Sequence, residues 1–426
     1  MAIKTFIRLI IEDGDLQMKT RLINDINLLI VCAATGAAAG LVLWLFLRAV
    51  HLGTFLIWEY IPDITGNPSI YTVCACVLGG IAAGLFRKRF GDYPQSMKAV
   101  AGTVKKTGTY PYRKLAVILP AALLPLIFGS SVGPEAGMAG IIVALCMWVK
   151  ENVSFAGESA AVYSRIGTAV SLSVMFYSPL FGFFSAVENE DRAEEEMSKT
   201  SALMLYGISA VSAVGTVSAL NSIFGKVSEG FPEFEASQPD VHDFMMAAVY
   251  LAAGILLGLF FEKSELFLEK VYAKFPPAAG EACAGLVLGI VCTFVPAVQF
   301  SGEDQMAVLI TEYSSYAPAA MIGLAFLKVI LTNMCICFGL KGGHLFPLIF
   351  SAVALGYGIS LMVFPGSSDH AVFAAAIVTA SALSVSIHKP AAVTCLMFLC
   401  FPVRMGIWIF AASLIAGHMT GRKTGS

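Results

Sequence analysis

The sequence predicts an all-α polytopic membrane protein built as two inverted halves with broken, re-entrant helices. Three observations carry this. Of 426 residues, 57% are hydrophobic and only 13% charged, where a soluble domain carries about 25% charge. Apolar runs, many long enough to cross a bilayer at about 18 residues or more, follow one another along the chain. Glycine and proline then break those runs at matching places in the two halves.

The same composition excludes other classes. With a mean hydropathy of +0.78, the charged residues are too few to cover the apolar surface of a soluble enzyme or a disordered scaffold. A formal net charge of -2 leaves no basic footprint for nucleic acid. Nearly all of the ten cysteines sit well inside apolar runs and act as small hydrophobes. No zinc-type spacing accompanies the C-x-C pairs, so neither a metal nor another cofactor is expected.

In chain order, residues 1–24 read as an amphipathic N-terminal helix on the cytoplasmic surface, because Lys4, Arg8, Glu12 and Asp13 interrupt what would otherwise be a signal-like core. Apolar runs follow at 26–48, 69–86, 115–128, 136–149, 166–187 and 202–221, giving a first transmembrane half over 25–221. The polar stretch 222–243 is the linker. Runs at 244–261, 280–298, 317–337, 345–363, 371–387 and 391–417 give the second half, 244–426, with no soluble C-terminal regulatory domain expected. Arg87, Lys88 and Arg89, then Lys105, Lys106, Arg113 and Lys114, mark cytoplasmic loops by the positive-inside rule.

The breakers recur. FGSSVGPEAG (128–137) precedes FYSPLFG (176–182), and FGLKGGHLFP (338–347) precedes SIHKPAAV (386–393). Gly133 to Gly343 is 210 residues and Pro179 to Pro390 is 211. That is the signature of an internal repeat, and interrupted segments in matching halves point to a binding site near the membrane midplane. A glycine turn opening a helix presents free N–H groups and the positive end of the helix dipole, which together form an anion site without a net positive charge. Ala136 and Gly137 in one half, with His344, Leu345 and Phe346 in the other, are the candidate N–H donors. Glu135 stands out as an ionisable residue deep in an apolar chain, where it can occupy the anion site and leave it on protonation. His344 has two readings, a backbone donor or a pH-sensitive side chain.

Val132-Gly133-Pro134-Glu135-Ala136-Gly137 resembles the G-R-E-G-P gating motif of the CLC family of chloride channels and anion/proton antiporters. Gly343-His344-Leu345-Phe346-Pro347 resembles its G-x-F-x-P. Ser178-Pro179-Leu180-Phe181-Gly182 and His388-Lys389-Pro390 resemble its A-P-L-x-G elements, one per half. The resemblance covers roughly residues 70–420 and implies the CLC-type inverted repeat, a homodimer, and passage of chloride or fluoride, with protons as the coupled or gating species. It departs from the pattern at Pro134, Gly137 and Leu345. The family's G-S-G-x-P maps best onto Gly91-Asp92-Tyr93-Pro94, with Gly91 where the serine should be. No tyrosine follows Tyr357 to complete the central site. The internal glutamate of the family's exchangers falls on Asn189, flanked by Glu188 and Glu190, which makes these three the candidates for an internal proton relay.

Two other readings compete. Gly129-Ser130-Ser131-Val132-Gly133 fits the G-x-S-x-G elbow of serine hydrolases, but the elbow requires a preceding strand and a paired base. A cation-coupled solute carrier requires mid-span carboxylates, yet Glu59, Asp63, Glu262, Glu265 and Glu281 fall near segment ends. The sequence therefore favours an anion pathway in a bacterial inner or plasma membrane over any enzyme.

Overall fold

The computed structural model describes residues 2–66, 69–153, 160–188, 199–227, 232–234, 239–276, 279–365 and 367–421. Seventeen α-helices appear among them: α1 (Ala2–Phe55), α2 (Ile61–Thr65), α3 (Ser69–Phe90), α4 (Met97–Thr107), α5 (Leu115–Ile127), α6 (Glu135–Asn152), α7 (Ala160–Met175), α8 (Pro179–Val187), α9 (Lys199–Phe224), α10 (Val241–Tyr272), α11 (Ala279–Phe294), α12 (Glu303–Glu312), α13 (Pro318–Cys337), α14 (Leu345–Val363), α15 (Ser368–Ile387), α16 (Pro390–Met397) and α17 (Gly406–Gly421). Among the described residues, eight helical stretches are long and apolar enough to cross a membrane. The stretch 1–24, read as a separate surface helix, is helical from Ala2 onward and continuous with the first span inside α1. The linker is shorter at both ends than the polar stretch 222–243, since α9 runs to Phe224 and α10 begins at Val241.

Breaks fall where the sequence places its breakers. A turn at 128–134 separates α5 from α6, and a turn at 338–344 separates α13 from α14. Ser178 caps α8 by accepting from Phe181 N–H at 3.2 Å, and Pro179 fills the first helical position, where its missing N–H costs nothing. Pro390 does the same for α16. The apolar run 391–417 divides at Pro402 into α16 and α17.

Close helix contacts build the halves. A Cβ at Gly36 or Gly40 of α1 would fall on the backbone of Ser209 or Ala213 of α9, the small-residue contact that lets membrane helices approach closely. Helices α14 and α15 form the interior, with 83% of their most apolar window buried, against 22% for α9. Both breaker turns of the second half border this interior pair. The glycine turns of the two halves meet at an antiparallel bridge, where Gly133 N–H donates to Gly343 O at 2.8 Å and Gly343 N–H donates to Gly133 O at 2.6 Å. Reciprocal bonding between equivalent residues is what a two-fold relation between the halves produces.

Candidate functional site

Glu135 is the first residue of α6 and 3% exposed. Its carboxylate Oε1 accepts from Leu345 N–H at 2.9 Å and Phe346 N–H at 3.1 Å. These residues open α14, so their N–H groups have no acceptor within the helix. The acidic side chain thus satisfies two orphan donors and meets the positive end of the α14 dipole. The glycines of the bridge make room for it. A Cβ at Gly133 or Gly343 would overlap the Glu135 carboxylate, so only glycine allows both the bridge and the seated side chain.

Aromatic packing surrounds this centre. Phe176 stacks on Phe346 with ring centroids 4.8 Å apart, and Phe181 meets Phe176 edge-on at 5.0 Å. Next to Phe176, Tyr177 sits at a φ of 50°, and its hydroxyl accepts from Asn221 Nδ2 at 2.8 Å. Ala136 and Gly137, in the first turn of α6, are buried, and Gly137 abuts Ala122 of α5. Leu345 and Phe346 are brought to Glu135 by hydrogen bonds. The His344 ring is directed elsewhere, with Nε2 3.0 Å from Ser386 Oγ and the ring 5.1 Å from that of Phe261.

Gly91 lies on an exposed turn after α3 rather than at Glu135. Its N–H donates to Arg87 O, and its neighbour Asp92 pairs with Arg87 at 2.9 Å and Lys341 at 2.5 Å. Glu188 follows α8, and its two oxygens accept from Ala391 N–H at 3.0 Å and Ala392 N–H at 2.8 Å. It therefore stands to α16 as Glu135 stands to α14: a first-half carboxylate on a second-half helix N-terminus. Beside it, the Lys389 ammonium donates to Ser185 O at 2.5 Å. Asn189 and Glu190 lie outside the described residues. The strand that the hydrolase elbow needs is replaced by helix α5, and Ser131 is fully buried with Oγ 3.4 Å from Thr332 Oγ1.

Sequence reasoning missed one charged residue. Lys328 is 0% exposed in α13, and its ammonium donates to the carbonyls of Val298, Gln299 and Phe300 at 3.0, 3.2 and 2.7 Å. A single lysine inside the apolar run 317–337 was the available signal.

Fold and site together define an integral membrane protein whose inverted halves join at paired glycine turns, with a buried carboxylate seated on a helix N-terminus. The profile described as voltage gated chloride channel matches residues 74–421, and the chain belongs to that family. It is 23% identical to YfeO of Escherichia fergusonii, a candidate ion-transport protein, over 76% of each chain, and 24% identical to YfeO of Shigella sonnei over the same share. Its fold is similar to that of a slow cyanobacterial Cl-/H+ antiporter (TM-score 0.77, 17% identity, 93% of this chain and 95% of that one). It is also similar to that of a CLC-type fluoride/proton antiporter (TM-score 0.73, 18% identity, the same coverage).

Proposed function

We propose that the protein moves a small monovalent anion, chloride in the first instance, across the membrane, and that Glu135 is its protonatable gate. One observation carries this reading: a carboxylate oxygen held by two N–H groups at a helix N-terminus inside an apolar interior. Donors arranged for a carboxylate also suit a small anion. An arriving anion must displace Glu135, and a proton that neutralises Glu135 weakens both charge-assisted bonds and releases it. Anion and proton therefore act on one seat, which couples their movements as exchange. Without proton transfer the same device is a gated channel. The first-turn N–H groups of Ala136 and Gly137 complete the anion's surroundings from the α6 side.

Fluoride is the second reading. It is favoured by the lack of any tyrosine after Tyr357 and by the likeness in fold to a fluoride/proton antiporter. A homodimer in a bacterial inner or plasma membrane, with one pathway per subunit, completes the proposal.

Proteoliposomes loaded with chloride or fluoride, with external pH recorded, test it for wild type and Glu135→Ala. Anion efflux coupled to proton uptake, lost in Glu135→Ala, supports the exchanger, and the faster ion names the substrate. Efflux without proton movement supports the channel. Efflux no faster than from empty liposomes refutes the anion reading.

A further inference from the structure

The turn that opens α14 carries a charge of its own. Lys341 stands in the 338–344 turn, just ahead of Gly343 and of Leu345, whose N–H holds the Glu135 carboxylate. Its ammonium donates to Asp92 Oδ2 at 2.5 Å, across 249 residues of sequence. Asp92 belongs to the 91–94 turn, onto which the family's serine-bearing motif maps best. The pair therefore ties a turn of the first half to the anion turn of the second. It lies beside Arg87–Arg89, on the face that those residues mark as cytoplasmic. The Lys341 and Asp92 side chains are 24% and 54% exposed, so an ion in cytoplasmic water can reach them.

The neighbouring arginine is already engaged. Arg87 Nη1 donates to Glu281 Oε1 at 2.7 Å and to Tyr272 Oη at 2.6 Å, and its Nε pairs with Asp92 Oδ1 at 2.9 Å. Three partners fix Arg87, and Arg87 in turn fixes Asp92. Lys341 has Asp92 as its one partner among the described residues. A solvent-exposed pair of this kind is weak, so a small anion can change places with the carboxylate. From Lys341 to Leu345 the chain reaches at most about 14 Å. An ion on the ammonium is then one short turn away from the N–H donors of Leu345 and Phe346.

We propose that Lys341 captures the anion at the cytoplasmic mouth, and that Asp92 is a tethered competitor that drives the ion off it again. This rests on the anion reading above. The entering ion replaces Oδ2 of Asp92 on the ammonium. Arg87 keeps hold of Oδ1, so the carboxylate stays close and returns to Lys341 as the ion moves on. A lysine without that competitor would trap a small anion by charge alone. The two ends of one turn are thus each closed by a first-half carboxylate, Asp92 on Lys341 and Glu135 on Leu345 and Phe346. The charge of Lys341 also supplies attraction at the turn where Gly91 stands in place of a serine.

Membrane vesicles holding the full chain test this, everted to present the cytoplasmic face or right-side-out to present the outer one. Uptake of labelled chloride is measured against its concentration and compared with vesicles lacking the protein. At the cytoplasmic face Lys341→Gln should raise the half-saturating chloride about threefold, the scale of one exposed charge contact, and at the outer face it should leave it unchanged. Asp92→Asn should lower the cytoplasmic value by about the same factor and slow maximal uptake, because the ion is held longer. Opposite shifts are the mark of competition, whereas a purely structural latch would move both variants the same way. Lys88→Gln, at an exposed neighbour of Arg87, should behave as wild type. An unshifted value in Lys341→Gln, shifts of one sign in both variants, or an equal shift in Lys88→Gln overturns the assignment. If Lys341→Gln yields no folded protein, Asp92→Asn decides, and half-saturating chloride that is unchanged or raised overturns it. Wild-type uptake no greater than in vesicles lacking the protein instead overturns the anion reading, and this assignment with it.

Discussion

Replacing Gly133 by alanine probes the gate without touching Glu135. The new Cβ would lie 2.6 Å from the carboxyl carbon and 2.8 Å from Oε1, and would overlap Oε2, so its three nearest atoms all belong to the Glu135 carboxylate. Gly133 has no left-handed backbone to lose, so the strain falls on the end of a flexible side chain. The carboxylate must swing away from Leu345 and Phe346. Each of those charge-assisted bonds is worth about 1.5–3 kcal/mol. Losing both at the lower figure, about 3 kcal/mol, shifts the balance between seated and released carboxylate by about two decades. Chloride efflux from proteoliposomes measures the result. Wild-type efflux should rise as pH falls, because protonation releases the gate; Gly133→Ala should be fast already at neutral pH and nearly flat with pH. In a Glu135→Ala background the alanine at 133 meets no carboxylate and should add nothing. Efflux in Gly133→Ala that matches wild type, or an equal effect of Gly133→Ala with and without Glu135, would refute the reasoning.

Other expectations follow from single contacts. Lys328→Met removes three donors from the carbonyls of residues 298–300 and leaves them buried, and should cost about 3 kcal/mol or more; thermal unfolding in detergent checks it, with Lys328→Arg milder. Ser178→Ala removes the α8 cap and should cost about 1 kcal/mol, read in the same way. Gly36→Leu forces a side chain onto the Ser209 backbone and should lower the unfolding temperature more than Ser178→Ala does.

How far the chain could be read depends on where each signal sits. The breaks before α6, α8, α14 and α16 were legible because glycine or proline interrupts an apolar run at each one. Helices α4 and α12 were not. Residues 97–107 carry three lysines across a polar gap and 303–312 fall between two apolar runs, so hydropathy passes over both. Glu135 was legible because a carboxylate follows a glycine-proline turn. The bonds of Glu188 were not, since its partners lie 203 and 204 residues away and only the folded chain brings them near. Lys328 was visible as a residue but not as a clamp, because its three acceptors are main-chain carbonyls that no sequence pattern marks. The likeness of the two turns suggested a repeat; their reciprocal pairing through Gly133 and Gly343 is a property of three dimensions.

That pairing has a consequence for how such a molecule can change over generations. The bonds from Leu345 and Phe346 that seat Glu135 run between the halves, so neither half owns the centre. Drift at Gly343 in one half is punished by a side chain encoded in the other, because a Cβ there would meet the Glu135 carboxylate. The two repeats can diverge freely across their outer faces, but at this junction they must be inherited as a matched set. A chimaera made by exchanging one half with that of a distant relative would therefore fail first at the seam.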